Sequence, residues 1–253
     1  MAEFRSTTGS IYYELLGEAS ASAPKITLLH NFMSTGRMAW NGILPKLEGF
    51  QILLADLPGH GRSVGHPDHY DYSAMGKQIT ELMRRVGFER SHLAGCSAGG
   101  MIAQLMVNDA LVDPASLTLV STTYTTDPAE LKSGTPLAPE NFVASDNWLD
   151  ATAKLHDPYQ GEGYFYRELL PGFRTARLEF AINLSLDELK RFQLPTCIIH
   201  GELDEFFPTT IAQQMHQAIA TSELHIIPQQ THALIFRKPW IVGEIMREFL
   251  VRK

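Results

Sequence analysis

Cysteine is scarce. Only Cys96 and Cys197 occur in 253 residues, too few for a disulfide scaffold or a cysteine-rich metal cluster. They read as free thiols of a reducing compartment. Long apolar runs are missing as well: stretches such as Ile26–Leu29 and Ile52–Ala55 fall far short of the roughly 20 residues that cross a bilayer. The opening Met-Ala-Glu-Phe-Arg-Ser-Thr-Thr has no apolar stretch of signal-peptide length. The expectation is a soluble, cytoplasmic protein. No basic surplus exists either. Lys and Arg number 21 against 28 Asp and Glu, a net charge of −7, which argues against a nucleic-acid or anionic-membrane partner. Repeats and low-complexity runs are absent. What remains is an ordinary globular composition, 44% apolar and 19% charged, long enough to bury one sizeable core. Oligomeric state is not legible in it.

Short apolar runs alternate with helix-length amphipathic ones. Lys25–His30, Phe50–Asp56, Ser91–Cys96, Ala115–Ser121, Pro195–His200 and Glu223–Pro228 read as buried strands. Between them Ser73–Val86 carries Met75, Ile79, Leu82, Met83 and Val86 on one face and stops at Gly87. Gly99–Asp109, Thr209–Ile219 and Pro239–Val251 are further helices, and Trp40–Leu47 is a helical segment made irregular by Pro45. Such alternation predicts an α/β fold, a mostly parallel central sheet flanked by helices. Ser10–Leu16 is expected as an antiparallel strand at the sheet edge. From about Thr123 to Lys190 the alternation breaks and aromatics accumulate, among them Tyr124, Phe142, Trp148, Tyr159, Tyr164 and Phe173. This stretch, 123–190, is expected to be a helical insertion lying over the strand ends where ligands of open α/β sheets bind, with 1–122 and 191–253 forming the core domain.

The chemistry-bearing motif is Gly95-Cys96-Ser97-Ala98-Gly99-Gly100. G-x-S-x-G is weak alone and strong where a strand turns into a helix, as here. The turn forces the serine into a strained backbone, leaves room only for small residues two positions before and after it, and lifts the hydroxyl above the sheet. The helix that follows aims its N-terminal N–H groups at the same point. A serine hydroxyl needs a base, and in this architecture the acid and then the histidine follow it in the chain. Asp204, in the loop after Pro195–His200, and His232, after Glu223–Pro228, fit that order. Glu202 and Glu205 are rival acids. The oxyanion donors are expected to be the backbone N–H groups of Ala98 and of Phe32, with Met33 as runner-up to Phe32. Asn31, Met33, Trp148 and Tyr124 are candidate substrate contacts. The other histidines include His30 and His60, expected to hold loops by hydrogen bonds, and His66 and His69, three apart in a proline-containing loop. None of the ten sits at metal-ligand spacing, so no metal is expected.

Taken together, Ser97, Asp204, His232, the turn Asp56–Ser63 and the insertion resemble the α/β-hydrolase superfamily over essentially the whole chain. His30-Asn31-Phe32-Met33-Ser34-Thr35…Trp40, Gly59-His-Gly-Arg-Ser63 and Gly99-Gly100-Met101-Ile102-Ala103-Gln104 are similar to one branch, the 3-oxoadipate enol-lactonases and related small esterases. That resemblance implies a cofactor-free serine hydrolase acting on a small ester or lactone. Cys96 and Ala98 replace the commoner neighbours of the serine, and no stretch of the insertion matches the lactonase cap, although Arg167, Arg174 or Arg177 could hold a substrate carboxylate. The same triad also serves acyl transfer, perhydrolysis, C–C bond hydrolysis and lyase reactions, and the same scaffold can act as a non-catalytic ligand receptor. Dehalogenases and epoxide hydrolases of this fold use Asp where Ser97 stands.

Overall fold

The computed structural model describes residues 2–18, 20, 22–66, 70–127, 142–174 and 181–252. Eight strands form one sheet: β1 (Ala2–Arg5), β2 (Ser10–Leu16), β3 (Lys25–Leu29), β4 (Gln51–Ala55), β5 (His92–Cys96), β6 (Leu117–Val120), β7 (Thr196–Gly201) and β8 (Ser222–Ile227). Their order is β1-β2-β4-β3-β5-β6-β7-β8. Every pairing from β4 to β8 is parallel, and β2 pairs antiparallel with both β1 and β4. The expected edge position of Ser10–Leu16 is therefore corrected. Antiparallel it is, but Ala2–Arg5 pairs outside it. Those four residues are too few and too polar to announce a strand, and only pairing with Ser10–Tyr13 orders them.

The helices are α1 (Gly36–Trp40), α2 (Tyr72–Val86), α3 (Ala98–Asn108), α4 (Asp146–Gln160), α5 (Leu170–Arg174), α6 (Leu186–Leu189), α7 (Thr209–Ala218), α8 (Leu234–Arg237) and α9 (Pro239–Leu250). A 3₁₀ turn at Leu44–Leu47 and a π-helical turn at Phe165–Leu169 complete the regular elements. The expected helical segment Trp40–Leu47 is split. Thr35 caps α1 by accepting the Met38 N–H, so the helix starts earlier, and the chain re-enters a helical turn only at Leu44, with Pro45 in its first positions.

Strand side chains alternate between two layers. Leu53, Leu93, Leu117, Leu119 and Ile198 point into the layer covered by α2, α3 and α7. Ile26, Leu28, Ile52, Leu54, Val120 and Ile199 point into the layer covered by α1 and α9, where Trp40, Val242, Met246 and Phe249 pack. Because both faces are covered, the central strands carry no polar alternation, which is why their sequence reads as continuous apolar runs. The strands thus deliver their C-terminal ends to one side of the sheet, where Ser97, the loop 30–35 and the loop 202–208 follow β5, β3 and β7.

Within 123–190 the described residues hold α4, α5, α6 and the π-helical turn. The segment leaves and returns at one place, since Thr125 and Asn183 form an antiparallel bridge and Thr126 N–H donates to Ile182 O at 2.8 Å. No helix among the described residues is long and apolar enough to cross a membrane.

Helix α2 ends as its sequence suggests. Gly87 takes φ +72°, while its N–H reaches the Arg84 carbonyl and the Phe88 N–H caps Met83. A Cβ disfavours that left-handed backbone. Gly87→Ala is expected to lower unfolding stability by about 1 kcal/mol or more, read as a shifted urea midpoint with an unchanged slope.

Candidate active site

Strand β5 ends at Cys96 and α3 begins at Ala98, so one residue makes the whole turn. Ser97 sits at φ +50°, ψ −117°, a conformation that L-residues rarely hold without support. The support is on every side. Its N–H donates to Val120 O at 2.9 Å; its carbonyl accepts from Gly100 N–H at 2.9 Å, Met101 N–H at 3.1 Å and the Thr122 hydroxyl at 2.7 Å. A Cβ on Gly95 would lie 2.3 Å from the Gly99 carbonyl oxygen, and one on Gly99 would lie 2.4 Å from the Leu29 oxygen. The positions two before and two after the serine must therefore lack a side chain. Cys96 is buried among the α1/α9 layer, and burial pushes its thiol well above the ordinary range, so it fills space.

The imidazole of His232 joins Ser97 to Asp204. Its Nε2 lies 3.0 Å from Ser97 Oγ, and its Nδ1 lies 2.9 and 3.1 Å from the Asp204 carboxylate oxygens. These are three stretches of chain separated by more than a hundred residues in one case, brought together at the ends of β5, β7 and β8. Asp204 is buried and also accepts the Phe206 and Phe207 N–H groups, each at 2.9 Å. Burial works against its charge; the nearby His232, with His200 and the Phe207 N–H, outweighs that and holds its carboxyl below the usual range. The rival acids are turned elsewhere. Glu205 accepts the His232 backbone N–H at 2.8 Å, and Glu202 accepts the Gln229 N–H at 2.8 Å. They hold the main chain of the histidine loop, while Asp204 alone of the three faces the ring. His200 is buried and donates Nε2–H to Phe207 O at 2.8 Å, and burial lowers its pKa, so a neutral imidazole backs the loop.

The segment after β3 lies against the serine turn. Phe32, Met33 and Ala98 belong to one apolar cluster with Ala153, Phe165, Leu169 and Leu170 from the helices above. Met33 takes φ +60°. The Asn31 side-chain amide donates to Phe32 O at 3.1 Å. His30 is enclosed, with Nδ1 on Asn31 O at 2.8 Å and Nε2 accepting the Leu57 N–H at 2.7 Å; burial drops its pKa to about 3. At His60, Nδ1 contacts Pro58 O at 3.1 Å.

Of the candidate substrate contacts, Asn31 and Met33 lie in this loop. Trp148 stands at the outer margin, 42% exposed, with its ring 5.6 Å from that of Phe142. Tyr124 is corrected: it is buried in the layer beneath α2, α3 and α7, near Ile182 and Leu184, and its hydroxyl reaches Gln214. Its position just after β6 suggested the site, but the chain turns it back into the core. Arg167 donates to Glu162 O and Arg174 to Phe142 O, so both guanidinium groups serve main-chain carbonyls of the insertion; Arg177 and His69 lie outside the described residues. Two further aromatic residues stand beside these groups. Phe206 packs its ring, tilted, 4.7 Å from that of His232, and Phe173 bridges Phe206 (6.3 Å) to Phe32 (5.7 Å). Phe206 could have been found from its place beside Asp204; Phe173 was marked only as one of the aromatics accumulating in 123–190.

One cluster among the described residues could hold a metal. Cys197, Glu223 and His225 bring ligand atoms within 4.8 Å of one another. Both Glu223 oxygens, however, accept from Arg252 at 2.9 and 2.8 Å, so a guanidinium already supplies the positive charge.

A parallel sheet wrapped by helices, with a strained serine at a strand-to-helix turn, defines the class. The chain belongs to the alpha/beta hydrolase family, whose sequence model matches residues 30–239. The fluoroacetate dehalogenase of Burkholderia sp is 43% identical over 94 residues, 35% of this chain; the match spans only 31% of that protein's length. The human serine hydrolase BPHL is 25% identical over 95% of this chain and 82% of its own. Among solved structures, the meta-cleavage product hydrolase CumD from Pseudomonas fluorescens IP01 superposes with a TM-score of 0.80, covering all of this chain and 98% of that one at 16% identity. The 3-oxoadipate enol-lactonase branch receives no specific support from these matches.

A carboxylate whose folded pKa lies below its unfolded value stabilises the fold above that unfolded value and loses the effect as pH falls through the folded one. For Asp204 the expected outcome is a urea midpoint that falls as pH drops below about 4, with a shallower fall in Asp204→Asn.

Proposed function

We propose that this protein is a serine hydrolase of carboxylic esters or lactones, working through an acyl-enzyme on Ser97. The observation that carries the reading is the unbroken chain from Ser97 Oγ through both nitrogens of His232 to the buried Asp204 carboxylate. A neutral imidazole with its proton on Nδ1, held there by Asp204, leaves Nε2 free to accept the serine proton.

In this mechanism Oγ attacks the acyl carbon as His232 removes its proton. The oxyanion is held by the N–H groups of Phe32 and Ala98, the second at the positive end of α3. His232 returns the proton to the leaving oxygen, which departs as an alcohol or, from a lactone, stays tethered as a hydroxyl of the acyl group. Water, deprotonated by His232, then attacks the ester of Ser97, and the carboxylic acid leaves as Ser97 regains its proton. Ser97 rather than Asp at this position speaks for acyl chemistry over the dehalogenase chemistry in the name of one relative. Residues 123–190 act as the cap over the core formed by 1–122 and 191–253. The aromatic rings of Phe32, Phe142, Phe173 and Phe206 suit a small apolar acyl group more than a charged one. The partner is a small molecule, and the chemistry requires no cofactor.

Ser97→Ala is expected to lower kcat on 4-nitrophenyl butyrate by about 10³-fold or more, and a fluorophosphonate should label the parent protein at Ser97. Full turnover in the variant, together with resistance of the parent to the phosphonate, would sink the mechanism.

A further inference from the structure

The imidazole of His156, fully buried on α4, joins the insertion to the loop after β3 by a hydrogen bond. Its Nε2 lies 3.3 Å from the Met33 carbonyl oxygen and donates to it. The other nitrogen, Nδ1, accepts the Gly61 N–H at 2.8 Å. Both ring nitrogens are thus committed, which fixes the tautomer with the proton on Nε2. Burial keeps the ring neutral, with its pKa down at about 4. The ring is also packed on every side: it stacks on Phe165 with centroids 6.2 Å apart, and it meets His60 at 5.8 Å, which in turn lies 4.8 Å from Phe32.

We propose that His156 is a positioning residue for the oxyanion loop, holding the Phe32–Met33 segment in donor geometry through the Met33 carbonyl. The inference rests on the serine-hydrolase reading given above. Met33 has a left-handed backbone, φ +60°, without being glycine, so the segment needs an outside hold to stay there. At the far end of the loop, Asp56 accepts the Gly36 N–H at 2.9 Å. On the β3 side, His30 Nδ1 lies 2.8 Å from Asn31 O, and the Phe32 and Met33 N–H groups lie between that contact and the Met33 carbonyl. Donor placement must be right to a fraction of an ångström for the developing charge to be met, and His156 is what reaches Met33 from the insertion. The same helix holds the Gly59–Ser63 turn separately: Gln160 donates to Gly61 O at 3.2 Å and to Ser63 O at 2.8 Å. Gln160 thus bonds that turn, whereas His156 bonds both the turn and the loop after β3.

Two amides separate the two bonds of His156. The side-chain nitrogen of Gln reaches the place of Nε2 and can donate to Met33 O; the side-chain oxygen of Asn reaches the place of Nδ1 and can accept from Gly61 N–H. With 4-nitrophenyl butyrate, turnover is measured per fluorophosphonate-titrated site, so misfolded protein does not count. His156→Gln is expected to keep kcat within about threefold of the parent, and His156→Asn to lose about tenfold or more with little change in KM. Gln160→Leu is expected to lower Tm and leave kcat within about twofold, as a loosened attachment without loop misplacement would. A purely structural His156 predicts the reverse order of the two amides, because Asn keeps the shorter bond. That reverse order, equal kcat in both, or a Gln160→Leu loss as deep as that of His156→Asn overturns the proposal. The Ser97→Ala control, measured per mole of folded protein because it has no serine to titrate, separates the two readings. If it retains turnover, the serine mechanism falls and this inference with it; if it is inactive while the amides reverse, only the role of His156 falls.

Discussion

Ser97 holds a backbone conformation that its own chemistry opposes, and the surroundings of that one residue organise the site. The conformation persists because the turn is closed from all sides: strand β6 takes its N–H, α3 and Thr122 take its carbonyl, and β3 approaches so closely that Gly99 cannot carry a Cβ. The outcome is a hydroxyl raised above the ends of the central strands at the start of a helix. Everything else in the site is placed relative to that point.

The titratable groups around it are sorted by environment. One carboxylate, Asp204, is buried yet held charged by N–H donors and His232. The imidazoles of His30, His156 and His200 are buried and kept neutral, each with a backbone carbonyl or N–H as partner. Low-dielectric surroundings make unpaired charge costly, so neutral rings can serve as rigid bridges between loops where charged side chains could not. His232 is less enclosed and stands between two side chains, with Asp204 at Nδ1 and Ser97 at Nε2.

Much of this was legible before any coordinates. The buried strands were visible because residues covered on both faces cannot alternate with polar ones, and Ser97 announced itself by small residues at fixed offsets. Strand β1 was invisible, because Ala2–Arg5 becomes a strand only by pairing with β2. Tyr124 misled because its position after β6 is site-like while its side chain is drawn into the core beside Ile182 and Leu184. Asp204 could be ranked above Glu202 and Glu205 because a triad wants a short, oriented carboxylate, but what separates the three is where their oxygens find N–H groups.

By itself the amino-acid order determined the alternation of strands and helices, the turn at residue 97 and the succession serine, acid, histidine, because these depend on local sterics and on periodic burial. Distances between remote segments do not follow from such rules. That Nε2 of His232 stands 3.0 Å from Ser97 Oγ, that Phe206 meets the His232 ring and Phe173 that of Phe32, and that His156 bonds the Met33 carbonyl were settled by packing. Each depends on how two layers and an inserted segment come to rest against one another, an outcome set by the sum of many contacts and written in no single stretch of chain.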